Sequence, residues 1–371
     1  MRNRRDFLRN VAGATAGMFF GGRGLADAGF LSFQSGPAGR RREVLVGGRR
    51  VKVIDGHAHC MIREVLPVVK GHTDLETYLS TRTDSFLGPE RLQIMDEQGI
   101  DMQALSINEF WYGTDRNLAR EIIKVQNETL AQWCAARPDR FVGLASVALQ
   151  HPDLAAEQLE EGVKKLGLRG AGIAGSVEGE ELSARKFDPF WAKAAELGVL
   201  LFMHPQAAPY TTENPRLGKG GSGNPLETTV AASHLIFDGT LDRFPGLKIC
   251  LAHAGGFLPS YSGRAEAGCL RAAEKGKRKA MGVVFDANCG IKKRPIEYFR
   301  KELLVDTMIF REEGLRQLVA ECGAGQIVYG TDIPFDWPVG VDFVLNAAFL
   351  SDAEKEAILG GNLIKLLRIA T

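Results

Sequence analysis

The stretch Val53-Ile54-Asp55-Gly56-His57-Ala58-His59 joins an apolar run to a His-x-His pair. Side chains at i and i+2 of a strand share a face, so His57 and His59 point one way and Ala58 the other. Two imidazoles delivered together at a strand's carboxyl end suit a divalent cation. Three later segments repeat the pattern of an apolar strand ending in a polar residue: Val199-Leu-Leu-Phe-Met-His204, Leu247-Lys-Ile-Cys-Leu-Ala-His253 and Gln326-Ile-Val-Tyr-Gly-Thr-Asp332. Taken alone, a histidine at a strand end is often only a hydrogen-bonded structural residue. Four histidines and one aspartate at the ends of four strands are a stronger signal. Neutral imidazoles with a carboxylate are the ligand set of zinc, manganese or iron, and a catalytic site leaves one position open.

Around these segments, apolar strands alternate with amphipathic helices. Strands are expected at 51–54, 102–106, 141–146, 170–173, 200–204, 248–252, either 283–286 or 304–306, and 326–329. Pro89 is placed to open a helix that Gly99 stops, and residues 117–136 carry apolar side chains at helical spacing. About eight strands in roughly 320 residues, with polar residues gathered at carboxyl ends, predict a single α/β domain, a (β/α)8 TIM barrel, spanning 51–371. The alternative is an open doubly wound sheet. No glycine fingerprint of a dinucleotide site follows the first strand, which disfavours it.

The chain resembles the amidohydrolase superfamily, and within it the branch of aminocarboxymuconate-semialdehyde decarboxylase and the resorcylate and carboxyvanillate decarboxylases. The resemblance runs over roughly 51–369 and rests on Asp55-Gly-His-Ala-His59, residues 89–106, His204-Pro205, Glu227-Thr-Thr229, residues 242–256, Gly263-Arg264 and Gly330-Thr-Asp-Ile-Pro-Phe335. It implies that His57, His59, His204 and Asp332 hold a metal and that His253 is the acid/base, with Asp332 sharing proton transfer. It further implies that Arg264 binds a substrate carboxylate across a homodimer boundary. Arg82 is the nearest candidate for a second such arginine. Ala254 departs from the branch's usual His-Gly-Gly-Gly, a change that bears on pocket shape. No lysine lies in Leu168-Arg-Gly-Ala-Gly-Ile-Ala-Gly175, where binuclear relatives carry a metal-bridging one, so a single ion is expected: zinc, with manganese as the alternative.

The implied activity is non-oxidative decarboxylation of a small unsaturated or aromatic carboxylate. Hydrolysis of a lactone, ester or amide is the alternative chemistry for the same parts. A periplasmic metal- or carboxylate-binding protein is the non-enzymatic alternative, and it would have no use for His253. Two loops stand out: 205–225, which is glycine-rich and follows a metal ligand, and 61–88, which contains Arg82.

The amino terminus has its own reading. Asn3-Arg-Arg-Asp-Phe-Leu-Arg9, a small-residue apolar run over 11–22, and Ala26-Asp27-Ala28 form the three regions of a twin-arginine signal in order. The apolar run falls short of the about 20 residues a membrane span requires. Residues 1–28 are therefore expected to be a removed signal, 29–50 a polar linker, and the mature protein periplasmic and unanchored. Removal takes away five arginines and two aspartates, moving the formal charge from +1 to −2. Such a balance offers no electrostatic footprint for nucleic acid. The six cysteines show no C-x-x-C spacing and read as a poor disulfide framework, with Cys60 a packed thiol facing away from the ligands.

Overall fold

The computed structural model describes residues 41–206, Arg216, and residues 221–275, 278–280, 283–285 and 287–370. Eight parallel strands carry the architecture: β1 (Ile54–His59), β2 (Met102–Ser106), β3 (Phe141–Gly143), β4 (Gly170–Ala174), β5 (Leu200–His204), β6 (Lys248–Leu251), β7 (Leu303–Asp306) and β8 (Ile327–Val328). Ladders join β1 to β3 and β4 to β8 in sequence order. Two bridges close the ring, Ala145 with Ala171 and Ala58 with Ile333. The Gly56 amide donates to the Tyr329 carbonyl at 2.8 Å and the Asp332 amide to the His57 carbonyl at 2.9 Å or less, so β8 seals against β1. The expected barrel is the observed one.

Helices cover the outside: α1 (Thr73–Ser80), α2 (Glu90–Gln98), α3 (Arg116–Ala136), α4 (Pro152–Lys164), α5 (Asp188–Leu197), α6 (Gly223–Phe237), α7 (Leu258–Lys275), α8 (Pro295–Lys301) and α9 (Glu312–Cys322). Pro89 caps α2, and Gly99 ends it in the left-handed conformation at φ 75°. Asp115 caps α3, its carboxylate accepting from the amides of Asn117 and Leu118 at 2.8 and 3.1 Å. The buried face of α3 is Ala119, Ile122, Ile123, Gln126, Asn127 and Leu130, spaced three or four apart as a helix packed on a sheet requires. Inside the ring, Ile54, Met102, Ala104, Leu200, Phe202 and Cys250 form a separate apolar cluster with Leu304. That cluster is the floor under the polar strand ends.

One choice left open is decided, and two expectations need correcting. The seventh strand is at 303–306; Val283–Phe285 pairs antiparallel with Arg278–Ala280 instead. The segment read as a linker is described from residue 41, and there Leu45–Val46 and Arg49–Arg50 make a hairpin with Val44 and Val46 buried. Arg41 and Arg50 both pair with Asp101, which docks this segment on the barrel. Finally, Cys269 and Cys289 form a disulfide. Spacing alone hid it, because the two cysteines are brought together by α7 and the turn beyond it. Cys60 is the packed thiol expected, its pKa pushed up to about 12 by burial. The signal segment 1–28 and most of the 205–225 loop lie outside the described residues. Among the described residues no helix is long and apolar enough to cross a membrane.

Close packing between β4 and β5 leaves no room at Gly170, where an added Cβ would meet the Leu200 carbonyl oxygen at 1.9 Å. Gly170→Ala is expected to cost about 1–3 kcal/mol of stability, read as a lower urea midpoint. Gly325→Ala, whose Cβ would have nothing within 4 Å, serves as the neutral control. Equal midpoints for the two variants would contradict the packing.

Candidate metal centre

His57 and His59 end β1, His204 ends β5, and His253 follows β6. Asp332 follows β8, reached through a tight turn in which Gly330 is needed: a Cβ there would stand 2.7 Å from that of His57. The five side chains converge. His57 Nε2 and His59 Nε2 are 2.9 Å apart. Asp332 Oδ1 lies 3.1 and 3.2 Å from them. One ligand atom each of His57, His204, His253 and Asp332 fall within 4.8 Å of one another. The His57 ring rests 4.9 Å from that of Phe202, so the apolar floor lies directly beneath.

Electrostatics sort these groups. Burial lowers the pKa of His59 and drives that of His204 well below its ordinary value, the neighbouring imidazoles adding to the effect. Burial, helped by His57, lowers His253 to about 4. These three rings are therefore neutral at neutral pH and present lone pairs. His57 differs: burial opposes its charge, but Asp332 and Asp306 outweigh that and raise it to about 10. Burial likewise opposes the Asp332 charge, yet the imidazoles of His57 and His59 hold its carboxyl far below the usual range. His204 Nδ1, His253 Nδ1 and Asp332 Oδ1 are all buried without a hydrogen bond of good geometry. Buried polar atoms left in that state, converging with an ionised carboxylate, fit a divalent cation.

Two residues of the site escaped the sequence reading. Asp306 ends β7, and its Oδ2 accepts from His57 Nδ1 at 2.6 Å. This carboxylate–histidine pair leaves Nε2 free to point at the cluster. The signal was available, since Leu303-Leu-Val-Asp306 repeats the apolar-strand pattern, but the choice between two seventh strands masked it. Trp337 donates its indole N–H to Asp332 Oδ2 at 2.9 Å, which leaves Oδ1 toward the histidines. No motif marks Trp337.

Both candidate arginines are exposed. Arg82 is exposed beside α1; its guanidinium stacks 3.7 Å over the Tyr78 ring, and the Tyr78 hydroxyl accepts from the Gln206 side chain at 3.1 Å. Arg264 is exposed on α7. Neither touches the cluster within one chain. At strand four, Gly170, Gly172 and Ala174 offer no bridging group. Ala254 sits at φ 57°, a conformation glycine adopts without strain, and its amide donates to Asp306 Oδ1 at 2.7 Å.

A closed (β/α)8 barrel with a histidine–aspartate cluster at the strands' carboxyl ends defines a metal-dependent enzyme. The amidohydrolase family model matches residues 54–369, and the chain belongs to that family. Its similarity is to decarboxylases. It is 31% identical over 284 residues to 2-amino-3-carboxymuconate-6-semialdehyde decarboxylase of Dictyostelium discoideum, covering 75% of each chain. It is 32% identical over 296 residues to γ-resorcylate decarboxylase of Rhodococcus jostii, covering 75% of this chain and 87% of that one. Among solved structures, a dihydroxybenzoic acid decarboxylase of Polaromonas with bound manganese and 2-nitroresorcinol superposes with a TM-score of 0.68 at 27% identity, over 86% of this chain and 97% of that one.

Because Asp306 fixes the His57 tautomer, Asp306→Asn is expected to weaken metal binding by about 10–100-fold. Competition with a chromogenic chelator measures this without reference to turnover. Undiminished affinity would mean that the pair is only structural.

Proposed function

We propose that this protein is a metal-dependent non-oxidative decarboxylase of a small aromatic or unsaturated carboxylate. The observation that carries the reading is the convergence of His57, His59, His204, His253 and Asp332 in a chain whose relatives are decarboxylases. In this reading His57, His59, His204 and Asp332 hold one ion, zinc or, as in the Polaromonas enzyme, manganese. The ion, when bound, orients the substrate and draws electron density from it. The protein's own groups handle the proton. A proton added to the carbon bearing the carboxylate, followed by cleavage of the carbon–carbon bond with its electron pair returning to the ring, releases carbon dioxide. His253 Nε2 lies 3.9 Å from Asp332 Oδ2, at the edge of the cluster. Neutral His253 is suited to take a proton from solvent and hand it to that carbon.

Arg264 is assigned to a substrate carboxylate in the neighbouring subunit of a homodimer, and Arg82 to a supporting contact. A guanidinium fork matches a carboxylate. The exposed Phe257, just before α7, and Tyr261, on α7 with Arg264, are 43% and 62% accessible and suit a subunit face. Export by the twin-arginine route, with cleavage near Ala28, is supported by the sequence of the first 28 residues and by the Cys269–Cys289 disulfide, which favours an oxidising compartment.

Assay of metal-loaded protein against aromatic and unsaturated carboxylates is expected to release carbon dioxide. His253→Ala is expected to keep its metal and lose turnover by about 100-fold or more. Turnover of lactones or esters alone would replace decarboxylation by hydrolysis. Metal loss in the His253 variant would make it a ligand instead.

Changing Arg4 and Arg5 to lysine is expected to leave precursor in the cytoplasm, while the wild type is recovered from the periplasm as a dimer by sedimentation. Periplasmic recovery of the variant at wild-type level, or a monomer, would each remove one part of this assignment.

A further inference from the structure

A carboxyl group that the decarboxylation scheme does not use stands beside the cluster. Ser106 ends β2 with its Oγ 3.4 Å from His59 Nδ1. On β4, a Cβ added to Gly172 would lie 3.5 Å from the Ser106 Cβ and 3.8 Å from Glu109 Oε1. The Glu109 carboxyl therefore leans over Gly172 into the barrel mouth, next to the residue that contacts a presumptive ligand. Glu109 is only 4% exposed, and its Oε2 has no hydrogen-bond partner among the described residues.

A buried carboxyl of purely structural purpose is paired with a cation or held by hydrogen bonds on both oxygens. Here the charged neighbour acting on Glu109 is another carboxylate, Glu227. Glu227 in turn accepts from the Gln206 amide at 2.8 Å, two residues beyond His204. The Tyr112 hydroxyl, buried nearby, faces the Ala174 amide at 3.5 Å. Burial, with Glu227 adding to it, raises the Glu109 pKa to about 8. Ionised or protonated, the group retains a free oxygen that accepts a hydrogen bond.

We propose that Glu109 is a specificity residue whose free oxygen takes a hydrogen bond from a hydroxyl or amino group of the substrate, turning the substrate's own carboxylate away from this wall. Two carboxyls on one wall disfavour an anion there and favour a donor. This inference rests on the carboxylate-substrate reading above and narrows it to hydroxy- or amino-substituted acids. A site built to hydrogen-bond such a group discriminates against the analogue that lacks it, because its buried acceptor is then left unpaired.

The test is calorimetric binding of benzoate, 2-hydroxybenzoate, 2,6-dihydroxybenzoate and 2-aminobenzoate to the metal-loaded protein, for wild type, Glu109→Gln and Glu109→Leu. Metal content and melting temperature are checked first, and Glu109→Ala replaces the leucine variant if that one does not fold. Wild type is expected to bind at least one substituted acid about tenfold or more tighter than benzoate. Glu109→Leu should lose most of that preference, with benzoate affinity equal to or above that of wild type, and Glu109→Gln, which keeps an acceptor oxygen, should retain more of it. The same preference in all three proteins, or an equal loss for every acid, would overturn the role of Glu109 while leaving the carboxylate reading intact. Failure of every acid to bind wild type would overturn both.

Discussion

The Asp306 carboxylate is the interaction on which the site depends. It is wholly buried, and each oxygen is occupied: Oδ2 accepts from His57 Nδ1 and the His253 amide, Oδ1 from the amides of Ala254 and Met308. Burial works against its charge, but the bond and charge of His57, the His253 ring and the Ala254 amide together outweigh that and lower its pKa. One group thereby couples β7 to the ends of β1 and β6. Without it, the His57 tautomer and the path of the backbone at His253 would both be unset, and an unpaired buried imidazole would cost free energy of its own.

That coupling explains why strained backbone is found where it is. His253, Ala254 and Asp332 all have positive φ, at 54°, 57° and 57°. Non-glycine residues hold such angles only where surroundings over-determine them. Asp306 supplies that at the β6 turn. Glycines supply it next door, since a Cβ on Gly256 would stand 2.3 Å from the Pro225 carbonyl oxygen. At the β8 turn, Asp55 does the same work, accepting from the amides of His57 and Thr331 and from the Thr331 hydroxyl. The Asp of the opening motif thus fastens the first and last strands behind the histidine–aspartate cluster.

What was legible in the sequence followed from periodicity and repetition. Strand ends carrying His57, His59, His204, His253 and Asp332 announce themselves because an apolar run must end where the chain leaves the barrel. The barrel follows from the number and spacing of such runs. What stayed hidden depends on contacts between distant residues. Asp306 shares the strand-end pattern, yet its value lies in reaching His57 across the barrel. Trp337 and Glu109 sit in loops, where no period places a side chain. The stretch read as a polar linker is tied down by Arg41 and Arg50 pairing with Asp101, a contact far along the chain. The Cys269–Cys289 bond is invisible for the same reason.

The division between barrel and loops also separates chemistry from selectivity. The atoms of the histidine–aspartate cluster are carried by strand ends or the segments directly after them, which the closed ladder holds in place. Rigid placement of that kind is what metal ligation and proton transfer require. Glu109, Tyr78, Gln206 and Trp337 all lie off the strands. Of these, Trp337 is bonded to Asp332 and so helps to set the cluster, whereas Glu109, Tyr78 and Gln206 border the mouth without bonding to it. In the proposed reading the strand ends carry the chemistry, and the buried carboxyl over Gly172 selects the acid that reaches it.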